Sequence, residues 1–523
     1  MVSWGVIEKN KYLHWLKLII LYVAIFLITH WYLSYYRNML YALSADEGIF
    51  LYGAKRVLDG QIIYRDFFSH FFPGNYYLLA LIYKIFGYSF AAAREAAIII
   101  DSFINVMVFY LSYKALKAWY AIIPPLFFMI LGFPNWIQFS HYWTSELFLI
   151  LSLIFFLWYL EKEKLLYLYI SGFLIGITTL FLQMPGVYGG ILFLLALVLI
   201  KRKSNKLLST ILVFILSAAI PLIISFGYIA VRGGFIDFIR AQFFIMNIYS
   251  KTLAFNPLDF IFKGVYPANI FIGIYFFGSI LYFIYFVAFN KHVKAATDVI
   301  IIGNMVLFFT IIHSMDLEHL LPNIPLFLIM LILPFKGLLD YTKQHSAGWY
   351  KLLYYLFGAI AVLSVISGVV SMKSNINRIN TQAYHVNING TPLWTFSAKQ
   401  AYEINEFFPQ VERVINGDKN VFVYPYCPLC YVFLNLNNPV FTDMIPTVME
   451  VPNYGRYSFY RAVQDIIRNK TDYIIYCNWP QHYMQMLLAL NKRQYHENIL
   501  DMFVEDNYNP LLRVDGLILY KKR

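Results

Sequence analysis

Charge is scarce in this sequence. Only 13% of its 523 residues are Asp, Glu, Lys or Arg, about half the share of a soluble domain. That excludes a soluble fold for most of the chain. Cysteine is scarce too: three residues make neither a disulfide framework nor a four-cysteine zinc site. Polar–apolar alternation is missing from the long apolar runs, which excludes a membrane β-barrel. No small-residue cleavage site follows the first apolar stretch, which is also too long for a cleavable leader and reads as a signal anchor.

Apolar residues fill the space that charge leaves. They make up 60% of the chain. Runs near 20 residues recur, each enough to cross about 30 Å of hydrocarbon. The fold class is a polytopic α-helical membrane protein. Candidate spans are 13–36, 73–86, 92–113, 118–132, 144–160, 165–182, 186–200, 207–231, 268–289, 297–313, 317–335 and 350–372. With one span in question, that is about 11 to 13 transmembrane helices. Residues 1–372 form the transmembrane domain, and 37–72 an outer loop. The pattern breaks at 373–523, which mixes charges and holds no spanning run, so it reads as a soluble α/β domain of ordinary size. Within it, 420–424 and 472–477 read as short buried strands, with a helix over 457–469 between them.

The net charge of +12 does not call for nucleic acid. Much of the excess lies in loops such as Lys201-Arg202-Lys203-Ser204-Asn205-Lys206, the cytoplasmic signature of a membrane protein. Lys9, Lys11 and Lys17 place the N-terminus inside, and Lys291, His292 and Lys294 fit inside as well. Counting outward from 201–206 puts loop 232–267, segment 314–319 and the tail outside. Counting forward from the N-terminus puts Asp46 outside, but the two counts differ by one crossing. The weakest span is 73–86, whose length covers only about 21 Å.

An acidic pair, Asp46-Glu47, follows the first apolar segment. A carboxylate at a hydrocarbon boundary is costly unless solvated, paired or used. Ser44-x-x-Glu47 has the spacing of a capping box. Phe50, Leu51, Ala54, Val57 and Leu58 make one apolar face at helical spacing, and Asp59-Gly60 supplies a stop. The spacing predicts a helix over 47–58 lying in the outer interface.

The run Asp46-Glu47-Gly48-Ile49-Phe50-Leu51-Tyr52-Gly53-Ala54-Lys55-Arg56-Val57-Leu58-Asp59-Gly60 is followed by Tyr64-Arg65-Asp66 and His70-Phe71-Phe72-Pro73-Gly74-Asn75-Tyr76-Tyr77. This pattern resembles the first outer loop of the GT-C superfamily of membrane glycosyltransferases, in particular the protein-mannosyltransferase-like and aminoarabinose-transferase-like enzymes. The hydropathy of the whole chain fits the resemblance, and the sharp motifs cover about residues 44–87. It implies a glycosyltransferase that moves a sugar from a polyprenyl-phosphate carrier to an acceptor hydroxyl, on a glycan, lipid or protein, with inversion. It also implies a bacterial plasma membrane, with the site and the C-terminal domain extracytoplasmic.

That chemistry needs a base at the acceptor and positive charge or hydrogen-bond donors at the departing phosphate. By resemblance Asp46 is the base, with Glu47, Asp66 and Glu146 as further catalytic carboxylates. His70, Arg240 and His319 would face the donor phosphate. Each has a plainer alternative. Glu47 and Asp46 can simply cap a helix. Asp66 can pair with Arg65, and Glu146, in His141-Tyr142-Trp143-Thr144-Ser145-Glu146, can answer a helix dipole. Arg240, among Arg232, Asp237, Gln242 and Lys251, can snorkel. His319 precedes Leu320-Leu321-Pro322 as a basic residue does in the family. A zinc pair of His313 and His319 fails on spacing. In some family members two such carboxylates hold a divalent cation, magnesium or manganese. Asp46 and Glu146 would do so here, and no other cofactor is called for.

Cys427-Pro428-Leu429-Cys430 is a lone CxxC, read as a local disulfide in an oxidising compartment. Gly172, Gly176, Gly186, Gly189 and Gly190 read as sites of close helix packing. No Walker loop or dinucleotide turn is present, so a nucleotide-sugar donor has no visible site. Two rivals remain: a transporter or flippase of lipid-linked glycans, and a non-catalytic subunit of the same fold. A transporter needs repeats and mid-membrane charge. No repeat is apparent, but Asp101 in Ile98-Ile99-Ile100-Asp101-Ser102 is such a charge, with Arg94 or Lys114 as its expected partner.

Overall fold

The computed structural model describes residues 3–43, 46–136, 138–201, 204–252, 258, 261–262, 268–289, 296–312, 317–443, 459–477 and 499–523. Ser44, Arg202, Lys203, Lys291, His292, Lys294, His313, Asp316 and the first residues of the expected 457–469 helix lie outside them. The helices of the first part are α1 (Ser3–Ser34), α2 (Glu47–Leu58), α3 (Gly74–Phe86), α4 (Phe90–Leu116), α5 (Ile123–Leu131), α6 (His141–Lys162), α7 (Leu165–Phe181), α8 (Gln183–Lys201), α9 (Leu207–Val231), α10 (Phe235–Thr252), α11 (Ala268–Phe289), α12 (Ala296–Ile311), α13 (Leu317–Leu320), α14 (Pro325–Met330), α15 (Leu333–His345) and α16 (Ala347–Gln382).

Among the described residues eight helical stretches are long and apolar enough to cross a membrane, and three shorter apolar ones accompany them. The chain is a helical integral membrane protein. Helix α3 belongs to neither group: its 13 residues cover about 20 Å. Leaving α3 uncrossed removes the one-crossing mismatch between the two charge counts. The expected span 317–335 is shifted toward the C-terminus. Pro322 lies in a short 3-10 turn and Pro325 opens the stretch Pro325–His345 that is long and apolar enough to cross, because proline suits a first helical turn. The expected loop 232–267 is in part helix α10. Glycines 172 and 176 bring α7 against α9: a side chain at either would run into Ser217 or Ala218.

Helix α16 runs past residue 373 to Gln382. A hairpin follows, β1 (Tyr384–Ile388) and β2 (Thr391–Thr395), paired antiparallel. Its turn residues Asn389 and Gly390 both have positive φ, 51° and 76°, the geometry a two-residue hairpin favours. Next come α17 (Ala398–Ile415), β3 (Val421–Tyr424), α18 (Leu429–Phe433), α19 (Phe459–Arg468), β4 (Tyr473–Cys477), α20 (Ile499–Asn507), β5 (Tyr508–Val514) and β6 (Leu517–Lys522). The sheet order is β3-β4-β6-β5. Strands β3 and β4 are parallel, and α19 lies between them in the chain, as a parallel pair requires.

The CxxC does not close on itself. Cys427 is bonded to Cys477 at the end of β4, and Cys430 is free and buried. Burial pushes the Cys430 thiol up to about 12, so it holds little thiolate at neutral pH. Peptide mapping after alkylation of the unfolded protein should find 427 joined to 477 and label only 430. Cys477→Ser should cost about 2–4 kcal/mol of stability, read as a lower melting point of the purified protein.

The tail grips the membrane part through backbone pairing. The Trp394 N–H donates to Asn38 O (3.0 Å), the Leu40 N–H to Trp394 O (2.7 Å) and the Phe68 N–H to Phe441 O (2.9 Å). Helix α2 is therefore enclosed. It was expected to lie in the interface with one face open, yet Glu47 through Ala54 and Arg56 are all buried. Gly48 is what permits this: a Cβ there would stand 2.6 Å from Leu429 N. The tail backbone takes the place of lipid.

Candidate active site

Asp46 is the N-cap of α2. The residue as a whole is exposed, yet enough protein surrounds its carboxyl that burial raises its pKa, against the pull of the Tyr426 hydroxyl and of His319. Tyr426 belongs to the tail, and its hydroxyl donates to Asp46 Oδ1. One carboxyl oxygen is thus held from the far end of the chain.

Aromatic and histidine rings extend from this carboxyl. His319, on α13, stands edge-on to Tyr142 with centroids 5.3 Å apart. Tyr142 adjoins His141, and His141 lies 4.7 Å from Phe71 and 5.3 Å from Phe50. His70 follows, 3.8 Å from Phe71, and its carbonyl accepts from Gln242 of α10 at 3.2 Å. Four separate stretches meet here: the N-terminus of α2, the loop before α3, the start of α6 and α13. The tail covers them through Tyr426. Rings of this density suit a sugar face or a prenyl chain.

His70 is a neutral group. Burial lowers its pKa from 6.5 to about 4, so at neutral pH it offers an N–H and not a cation. The folded state then binds fewer protons than the unfolded state between those values, and stability rises with pH there. The protein should therefore lose stability progressively as pH falls from 6.5 toward 4. His70→Gln should flatten that limb in a pH series of thermal melts.

Glu47 points elsewhere. Asp46, the N-cap of α2, makes no side-chain capping bond, and Ser44 of the expected capping box lies outside the described residues. The Glu47 carboxyl binds Arg94 twice, at 2.6 Å from Nε and from Nη2, and accepts the Phe139 N–H at 2.8 Å. Both side chains of the pair are buried. The pair ties α2 to α4 and to the turn before α6. Asp66 is likewise held. Arg65 donates to both its oxygens at 2.8 Å, and the Ile62 N–H to Oδ2 at 2.7 Å. Burial pushes its pKa up, but these donors outweigh it and hold the carboxyl below its usual value. Arg240 is exposed, 3.6 Å from Asp237.

Glu146 is buried in the bundle, with no hydrogen bond to either oxygen among the described residues. The charge beside it is Asp101, equally buried and unbonded. Asp101 does not pair as expected, because Arg94 serves Glu47 and Lys114 serves Glu161 at 3.0 Å. Asp46 is set against Tyr426 and His319, and the acidic group beside Glu146 is Asp101. Among the described residues no three His, Cys, Asp or Glu side chains gather as metal ligands. Tyr426, His141 and Arg94 had no sequence signal that set them in the site; the first is 380 positions from its partner.

Neither a protein-family profile nor a curated protein matches this sequence. Solved structures match its fold. ArnT from Cupriavidus metallidurans, bound to undecaprenyl phosphate, matches with TM-score 0.56 at 12% identity, over 96% of this chain and 97% of that one. The archaeal oligosaccharyltransferase AglB from Archaeoglobus fulgidus, in complex with an inhibitory peptide and a dolichol-phosphate, matches with TM-score 0.52 at 11% identity, over 96% of this chain and 74% of that one. The chain has the GT-C fold. Within this fold the sharp sequence pattern of 44–87 and the covering tail meet at one carboxylate, Asp46.

Proposed function

We propose that this protein is a membrane glycosyltransferase that takes a sugar from a polyprenyl-phosphate carrier and passes it to an acceptor hydroxyl outside the cytoplasm. The observation that carries the reading is Asp46: the carboxylate of an exposed residue at a helix start, raised in basicity by its surroundings and fixed by Tyr426, in a GT-C fold. The two solved structures named above, each with a polyprenyl-type phosphate bound, support the donor class.

The acceptor oxygen attacks the anomeric carbon from the face opposite the phosphate. The bond from that carbon to the phosphate oxygen breaks, and its electron pair stays on the polyprenyl phosphate. The acceptor proton passes to Asp46 Oδ2. A base works within hydrogen-bond reach and best when its pKa approaches the working pH, which burial favours here. The leaving phosphate is already a stable anion and needs donors more than acid. His319 and the neutral N–H groups of His70 and His141 supply them. The disulfide in the tail suits an oxidising compartment, and a charge count with α3 uncrossed supports Asp46 and the tail lying on the face opposite 201–206.

The test is stereochemical. Purified protein with a panel of polyprenyl-phosphate sugars and acceptors should give a glycoside whose anomeric configuration, read by NMR, is opposite to the donor's. A retained configuration would remove the single-displacement reading. A second reading, transport of lipid-linked glycan, is favoured by the unbonded Asp101–Glu146 pair inside the bundle, since such groups mark relays in transporters. It predicts movement of labelled carrier across liposomes without a glycoside product.

A further inference from the structure

Beyond Asp46, the structure carries an exposed cation with a built surrounding at the tail end of α16. Arg378 lies on that helix with its guanidinium 4.2 Å from the centre of the Phe396 ring. A cavity of about 410 Å³ opens beside it, lined by Arg378, Thr381, Gln382, Ala383, Tyr384 and Phe396. Among the described residues no carboxylate pairs with Arg378. Thr381 gives its proton to Asn377 O at 2.8 Å and can only accept. The donors left in the cavity are the guanidinium, the Gln382 amide and the Tyr384 hydroxyl.

The depth of this cavity follows from the helix. Lys351 and Lys373 bracket 21 uncharged residues. At 1.5 Å per residue these span about 32 Å, the thickness of the hydrocarbon core. Their outward side chains are apolar and exposed, among them Leu356, Leu363, Ile366 and Val370, so α16 faces lipid. Arg378 comes five positions after Lys373, about 7 Å farther out. That is the headgroup layer, which adds about 5–8 Å on each side. A planar guanidinium held on a ring, at headgroup depth and beside two neutral donors, matches a phosphate.

We propose that this cavity binds the phosphate of an anionic glycerophospholipid from the surrounding bilayer and so anchors the junction between the last span and the tail. A bilayer lipid is the occupant because the lipid-facing side of α16 leads directly into the cavity. The carrier of the transferred sugar is not, because no carboxylate or histidine lines it.

The experiment uses the full-length protein in mixed micelles, with bound lipid counted by native mass spectrometry. Phosphatidylglycerol should be retained by the wild type. Arg378→Gln should retain about tenfold less, the worth of one charged hydrogen-bonding group. Phe396→Leu, which leaves the charge but removes the ring, should retain about threefold less. Both variants are judged at equal monodispersity, and Phe396→Leu stands alone if Arg378→Gln does not fold. Unchanged retention in the variants would overturn the proposal. Displacement of phosphatidylglycerol by millimolar glycerol phosphate would mean a site for free phosphate, and displacement by equimolar undecaprenyl phosphate would mean a carrier site. Either would overturn it too.

Discussion

Asp46→Asn should lower sugar transfer by about 10²-fold or more and leave the protein folded. Asparagine keeps the size of the side chain and its bond from Tyr426, and it is a good residue at a helix start. What it loses is the basic oxygen that would take the acceptor proton. Tyr426→Phe should be milder. The carboxylate stays, but its orientation is freed and the fall should be about tenfold, the worth of one charge-assisted hydrogen bond. Both are read as turnover in detergent or liposomes, normalised to monodisperse protein. Near-wild-type turnover for Asp46→Asn would take Asp46 out of the mechanism.

Glu47→Gln should behave in the opposite way. The amide still accepts from Phe139 N–H, but among the described residues Arg94 is left without a carboxylate inside the protein, with the Phe90 ring 4.7 Å from it. Breaking one side of a buried pair costs about 3–5 kcal/mol, a large share of a domain's stability. The expected result is a strong drop in melting temperature and yield, with turnover per folded molecule less affected than in Asp46→Asn. Removing both charges in Glu47→Gln with Arg94→Met should restore much of the stability. Adjacent residues thus separate: position 46 should report chemistry and position 47 stability. A melting temperature unchanged by Glu47→Gln would mean that the pair does not hold α2 in place.

The membrane part was legible because apolar length is a local property. Nearly every expected span has a helix at its place, and 317–335 lies shifted to 325–345 because Pro325 acts as a helix start. The helix over 47–58 was legible from spacing, but its surroundings were not. Its apolar face reads the same whether lipid or protein covers it, and only Gly48, which admits the tail backbone, carries a trace of the difference. In the tail, strands β3 and β4 were visible as β-branched and aromatic runs. The Cys427 pairing was not, because a CxxC spacing allows the local bond and says nothing of Cys477. The acidic motif pointed to Asp46 as the base and kept Glu47 as a further catalytic carboxylate; their different surroundings come from Arg94 on one side and Tyr426 on the other. Glu146 was legible as a carboxylate at the start of a span. The direction it faces depends on α4, which brings Asp101 to it.

The most direct measurement is of polyprenyl phosphate itself. Purified protein in liposomes should release it from a polyprenyl-phosphate sugar, in step with glycoside formed and only when acceptor is present. Carrier that stays sugar-linked across a broad donor and acceptor panel, while the protein remains folded, would contradict the account.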